Sequence, residues 1–110
     1  TRDGTCLRDY IHVEDLASAA LKALTFLNKK KSGIFCLSSN SGYTVLEIVK
    51  AAKKYIDKNL KYTVEANRPG DPAKLTASNA KARKELKWSV KHSLASMIKS
   101  DYKFRKQYCK

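Results

Sequence analysis

Several things are scarce in this 110-residue chain, and each scarcity excludes something. Two Pro and four Gly rule out a collagen-like or linker-like polymer. No stretch approaches the ~18 consecutive apolar residues of a membrane span, and no secretory leader is visible at the start. The three cysteines, Cys6, Cys36 and Cys109, are an odd number with wide gaps, which gives neither a disulfide framework nor a zinc spacing. Reduced thiols in a cytoplasmic protein are therefore expected. Gly4, Gly33, Gly42 and Gly70 stand singly, so a Gly-x-Gly-x-x-Gly dinucleotide loop cannot be built from them. His12 and His92 are far apart along the chain, and neither sits in a metal-ligand spacing. With no nucleophile-and-base set in view, no catalytic, cofactor-binding or metal-binding residue is assigned.

Acid is the other scarcity: 10 Asp plus Glu face 23 Lys plus Arg, for a formal net charge of +13. Such a balance raises nucleic acid as a partner. The charge is dispersed, however, and only Lys29, Lys30 and Lys31 form a run, so solvated lysine faces are the simpler expectation. The best nucleic-acid candidates are Lys103, Arg105, Lys106 and Lys110 beside Tyr102, Phe104 and Tyr108. They define an alternative, a basic binding module, that a salt titration of DNA binding would separate from an enzyme part. The adopted reading has no nucleic-acid and no membrane partner.

What is present is enough apolar residue, 43 %, for a core. A compact chain of this length buries roughly 65 % of its unfolded surface. The length suits one domain or part of a larger one, and a start at Thr1 rather than Met leads us to expect a longer parent. Strand and helix signals alternate. Residues 6–13 suit an extended segment. Glu14 and Asp15 then open a helix over about 14–28, with Leu16, Ala20, Ala23, Leu24 and Leu27 as its apolar face. Ile34 to Leu37 reads as a strand buried on both sides. Thr44 and Glu47 form a capping box before a helix over about 45–57. Residues 60–65 alternate like a half-buried strand, 75–77 could be extended, and helices are expected at about 79–86 and after Ser93. The class is α/β. An apolar strand at 34–37 lacks enough partners in this chain, so its neighbours are expected in sequence outside it.

Two arginines stand out against the lysines. Arg8 lies inside an apolar, β-prone stretch. Arg68 opens the bend Arg68-Pro69-Gly70-Asp71-Pro72, where proline holds Arg68 extended and Gly70 leaves the turn free. A guanidinium and a carboxylate on one rigid bend suit a nucleotide, the fork on phosphate oxygens and the carboxylate on ribose hydroxyls. An internal Arg–Asp pair on a surface turn is the other reading of the same residues.

Residues 4–17, Gly-Thr-Cys-Leu-Arg-Asp-Tyr-Ile-His-Val-Glu-Asp-Leu-Ala, closely resemble the DGTxxRDYIHVxDLA segment of the UDP-glucose 4-epimerase family. Arg68 to Ala73 resembles its RRxGDPA segment, Tyr43 to Val49 its YSVLEVI helix start, and Ala80 to Trp88 its SKAxxELGW. The four segments keep their order and spacing over about residues 1–105. Where the family often has Asn-Leu-Gly-x-Gly, this chain has Cys36-Leu37-Ser38-Ser39-Asn40.

The resemblance implies an extended short-chain dehydrogenase/reductase, of which this chain is the C-terminal, UDP-sugar-binding part. Family members interconvert UDP-glucose and UDP-galactose through a 4-keto intermediate, using tightly bound NAD. The N-terminal Rossmann domain that holds NAD and the catalytic Tyr-x-x-x-Lys is not in these 110 residues. The helix and strand of about 14–37 would pack on that domain's sheet. The resemblance further assigns Arg8 and Arg68 to the diphosphate, Asp71 to the uridine ribose, Tyr10 to the neighbourhood of the nucleotide and Leu75 to the sugar pocket. It implies a UDP-hexose ligand, a homodimeric intact enzyme in galactose metabolism, and an inactive fragment. A sister nucleotide-sugar epimerase, dehydratase or decarboxylase is the nearest alternative.

Overall fold

A polar side chain stands immediately before each long helix and takes up a backbone N–H that the helix cannot satisfy itself. In this computed structural model, which describes residues 1–109, helix α1 (Val13–Asn28) is capped by His12, whose Nδ1 accepts from the Glu14 N–H at 2.9 Å. Helix α2 (Val45–Tyr55) carries the complete reciprocal box. Thr44 Oγ1 accepts from the Glu47 N–H at 3.1 Å, and the Glu47 carboxylate accepts from the Thr44 N–H at 2.8 Å. Helix α3 (Leu94–Tyr108) starts where Ser93 Oγ accepts from the Ser96 N–H at 3.2 Å. The expected bounds hold within two residues at both ends of α1 and α2.

Three two-residue strands form one small sheet. Strand β1 (Leu7–Arg8) is central, β2 (Tyr43–Thr44) pairs with it antiparallel and β3 (Lys74–Leu75) parallel. Arg8 therefore lies opposite Tyr43 on one side and Leu75 on the other. Gly42 feeds β2 with φ +70°, and a Cβ there would stand 2.8 Å from Thr76 Cγ2 and 3.1 Å from the Arg8 carbonyl oxygen. Both the dihedral and the space demand glycine.

The core gathers Ala19 of α1 with Ala82, Leu86 and Trp88, flanked by Ile11, Phe26, Phe35, Leu37 and Val90. Ala82–Leu86 is a π-helical turn, which ends as Lys87 swings to φ +59°. Trp88, 1 % exposed, donates its indole N–H to the Asp15 carbonyl at 2.8 Å and to Ser18 Oγ at 3.1 Å. Asp15 in turn accepts from the backbone N–H groups of Lys91 and His92, each at 3.1 Å. A buried carboxylate with both oxygens satisfied ties residues 88–92 to α1.

Two expectations are corrected below, the strands at 34–37 and 60–65. The apolar face of α1 lies mostly outside: Leu16, Leu24 and Leu27 are 49, 58 and 55 % exposed, with Val13 and Leu21 beside them. The chain's own core takes the opposite face, around Asp15 and Ala19. At 100° per residue, 13, 16, 20, 24 and 27 fall on one stripe and 15, 18, 19, 22 and 26 on the other. Residues 34–37 form no strand among the described residues. Phe35 and Leu37 turn to the core, while Ile34 is 86 % exposed and Cys36 is exposed. A strand needs a ladder partner, and these residues offer none on that side. Residues 60–65 are likewise unpaired and exposed, with Val64 at 86 %.

The molecule is a slab of 51 × 35 × 20 Å with a radius of gyration of 16.5 Å. A compact domain of this length would have about 13 Å. Its accessible surface of 8456 Å² exceeds by more than a third the ~6,100 Å² of a compact monomer of equal mass. Among the described residues, no helix is long and apolar enough to cross a membrane.

Candidate functional site

The bend after residue 67 folds back onto the central strand. The Leu7 N–H donates to the Ala73 carbonyl at 2.8 Å, which sets Asp71 beside Arg8. An Arg8 Nη2 donor then meets Asp71 Oδ1 at 2.5 Å, and Arg68 Nη2 meets the other oxygen, Oδ2, at 3.4 Å. Two guanidinium groups distant in sequence thus converge on the two oxygens of one carboxylate. Arg8 Nη1 also donates to the Leu7 carbonyl at 2.8 Å, which fixes its head. The side chains of Arg8 and Asp71 are 22 and 26 % exposed, whereas that of Arg68 is 86 % exposed and free to swing. The Cys6 thiol lies 3.8 Å from Asp71 Oδ2. A cleft of about 90 Å³ opens here, lined by Cys6, Asn67, Asp71 and Ala73 among others.

Of the remaining expected site residues, one lies beside this pair and one does not. Leu75 is the register partner of Arg8 on β3 and is 60 % exposed. Tyr10 does not join the Asp71 cluster. It lines a larger groove of about 660 Å³ with Ile11, His12 and Val13 where the chain enters α1 and Leu94, Met97 and Phe104 from α3. The bend therefore contains both features that its residues suggested, an internal Arg–Asp pair and a presented guanidinium.

Asp9 supports the site from behind and had no role in the sequence reading. Its Oδ1 accepts from the Ser39 N–H at 2.9 Å and its Oδ2 from the Ala77 N–H at 3.1 Å. Burial pushes its carboxyl up, but hydrogen bonds from Ser38, Ser39 and Ala77 outweigh that and hold it below the ordinary range. In this way Asp9 ties the 38–42 turn and the segment after β3 to the strand carrying Arg8. The turn replaces the glycines of the resembling family with side-chain bonds. Ser38 Oγ donates to the Ala77 carbonyl and accepts from the Asn40 N–H, both at 2.8 Å. Asn40 adopts φ +67°, a conformation that asparagine tolerates. The one hint of Asp9 in the sequence was a second charge within an apolar, β-prone stretch.

The two histidines, 80 positions apart, are stacked with ring centroids 4.1 Å apart. With Glu14 they bring ligand-type atoms within 4.8 Å of one another. Both nitrogens of His12 are engaged, Nδ1 by the Glu14 N–H and Nε2 by Ser100 Oγ at 2.8 Å. Stacked imidazoles also direct their in-plane lone pairs along near-parallel planes rather than to one point. This is a helix-capping cluster, with His92 Nε2 3.1 Å from Glu14.

A dinucleotide pyrophosphate ordinarily rests on free N–H groups at a helix start. Here α1, α2 and α3 each carry a side-chain cap from His12, Thr44 or Ser93. Each cap takes up one of the orphan N–H groups at its helix start. On α3, Arg105 is paired with Asp101 at 2.9 Å, while Phe104 and Tyr108 pack together at the exposed end. Lys110 lies outside the described residues.

Against known proteins, residues 2–100 match the family model described as GDP-mannose 4,6 dehydratase. The chain is 42 % identical over 106 residues to the UDP-glucose 4-epimerase of Bacillus subtilis, covering 96 % of this chain and 31 % of that protein. Among solved structures it superposes on a UDP-glucose-4-epimerase from Stenotrophomonas maltophila with bound NAD and formylated UDP-arabinopyranose. The TM-score is 0.93 at 35 % identity, over 97 % of this chain and 32 % of that one. The epimerase of Bifidobacterium longum in complex with NAD+ and UDP gives a TM-score of 0.89 at 35 % identity, over 98 % and 32 %. The chain thus spans about a third of the length of these relatives.

Proposed function

The chain belongs to the GDP-mannose 4,6 dehydratase family and is homologous to UDP-glucose 4-epimerases, and from that premise we propose that it is the UDP-sugar-binding part of an NAD-dependent UDP-glucose 4-epimerase. The observation that carries this reading is the convergence of Arg8 and Arg68 on one anionic group, at a face that solvent reaches. Two guanidinium groups so placed offer charge-assisted donors to a diphosphate. Asp71 lies where a ribose could donate to it, and Leu75, alongside Arg8, borders the sugar. Tyr10 would act from the neighbouring groove, a step away from the diphosphate.

In the same reading, the remainder of the protein is a Rossmann domain. It would cover the outward stripe of α1 and the outward side of residues 34–37. The excess surface and the apolar stripe support that arrangement. NAD would be held there. On its own the chain is expected to be inactive.

In the intact protein, Arg68→Ala should weaken UDP-sugar binding roughly ten- to a hundredfold, the loss of one charged hydrogen-bonding group. Bound NAD should remain at wild-type occupancy. Calorimetry with UDP and the absorbance of released cofactor would check both, and unchanged UDP affinity would remove Arg68 from the site. The family's description favours a second reading, a sister nucleotide-sugar enzyme of dehydratase type. Product identification after incubation with UDP-glucose separates the two: UDP-galactose in one case, a dehydrated sugar in the other.

A further inference from the structure

Asp71 is held by two arginines from different parts of the chain, one on each oxygen, at 2.5 Å from Arg8 and 3.4 Å from Arg68. An anion cannot take both guanidinium groups without displacing this carboxylate or lying against it. We propose that Asp71 is a built-in stand-in for the diphosphate that makes the site selective, admitting anions that bring hydroxyl donors and turning bare anions away. The inference rests on the nucleotide-site reading above and adds to it what the carboxylate does before the ligand arrives.

The physical reason is one of replacement. A partly buried carboxylate that loses its guanidinium partners must find other donors or be left under-satisfied. A nucleoside diphosphate carries such donors on its ribose, in the same molecule as the phosphates that displaced it. Pyrophosphate carries no alcohol hydroxyl, so the carboxylate stays as a like charge beside it. The structure also shows which parts can move. Arg8 is anchored on the Leu7 carbonyl, while Arg68 is 86 % exposed. The bend between Arg68 and Asp71 is closed by a single 3.3 Å backbone hydrogen bond, and at Gly70, with φ +79°, even an added Cβ would meet nothing within 4 Å. Exchange therefore proceeds by Arg68 and Asp71 turning on the bend while Arg8 keeps its place.

The test is calorimetry on the intact protein with two probes, UDP and inorganic pyrophosphate. In Asp71→Asn, pyrophosphate should bind about tenfold more tightly than in the wild type, the scale of removing one adjacent, partly screened charge. UDP should gain nothing or weaken, so the preference for UDP narrows. Asp71→Ser should behave the same way and serves if the first variant misfolds. On the unaltered protein, the 2′,3′-dideoxy analogue of UDP should bind at least roughly tenfold more weakly than UDP. Pyrophosphate affinity that stays the same or falls in a folded variant, or a dideoxy analogue as tight as UDP, would overturn the stand-in role while leaving the nucleotide site intact. A wild-type protein that binds no UDP removes the nucleotide site itself, and the stand-in with it.

Discussion

Asp3 shows how much a single side chain can organise near the start of the chain. Its carboxylate accepts from Thr44 Oγ1 at 2.5 Å, from Thr5 Oγ1 at 2.7 Å and from the Thr5 N–H at 2.9 Å. The Thr44 hydroxyl bond, then the two from Thr5, hold its carboxyl at about 2, below the ordinary 3.8. Glu47 is lowered too, first by the Arg2 guanidinium and then by the Thr44 N–H. A depressed carboxyl binds fewer protons folded than unfolded. Its stabilisation is therefore complete above the ordinary value and is lost as pH falls through the folded one. The protein should lose stability between about pH 4 and pH 2, and Asp3→Asn should flatten that loss. Thermal melts across that range check it; an unaltered acid slope in Asp3→Asn would show that the Thr44 and Thr5 bonds do not matter energetically. Thr44 was legible in the sequence as half of a capping box. Asp3 was not, because its partner is 41 positions away.

Among the elements, the π-helical turn Ala82–Leu86 carries the clearest imperfection. It closes on Lys87 at φ +59°, ψ 34°, a left-handed conformation that costs a residue with a Cβ about 1–2 kcal/mol. The resembling family places Gly there, in the motif SKAxxELGW. Lys87→Gly should therefore stabilise the protein by roughly 1 kcal/mol, less the entropy that glycine adds to the unfolded chain. Urea melts of the two proteins would show it as a higher midpoint at constant slope, and a lower midpoint would mean that the Lys87 side chain contributes more than its strain costs. The turn is tolerated because of its neighbours: Trp88, directly after it, is locked by Asp15 and Ser18. The helix itself was visible in the sequence at about 79–86. Its π geometry was not, since hydrophobic spacing over two turns does not separate one helical pitch from another.

For the molecule as a whole, the excess surface belongs to particular residues. The chain covers one face of helix α1, around Asp15, Ala19 and Phe26. The other presents Val13, Leu16, Leu21, Leu24 and Leu27 to solvent, with Ile34 also exposed. A bare apolar surface of this kind drives association. The 110-residue chain by itself should self-associate, and Leu16→Lys with Leu24→Lys should make it monomeric. Light scattering after size exclusion checks this; a wild-type chain that runs as a monomer and melts cooperatively would show the stripe to be harmless. By itself the sequence determined the long helices, the caps at Thr44 and Ser93 and the bend at 68–72, because each is set by residues within four positions of one another. It also marked Arg8, Arg68 and Asp71 as the residues to watch. Only the tertiary structure decided that Arg8 and Arg68 share one carboxylate, that Asp9 and Asp15 brace the site and the core, and that the two histidines stack. Those contacts join residues tens of positions apart. Which face of α1 is buried, and whether 34–37 finds a strand partner, is likewise a matter of what lies opposite, and local periodicity does not carry that information.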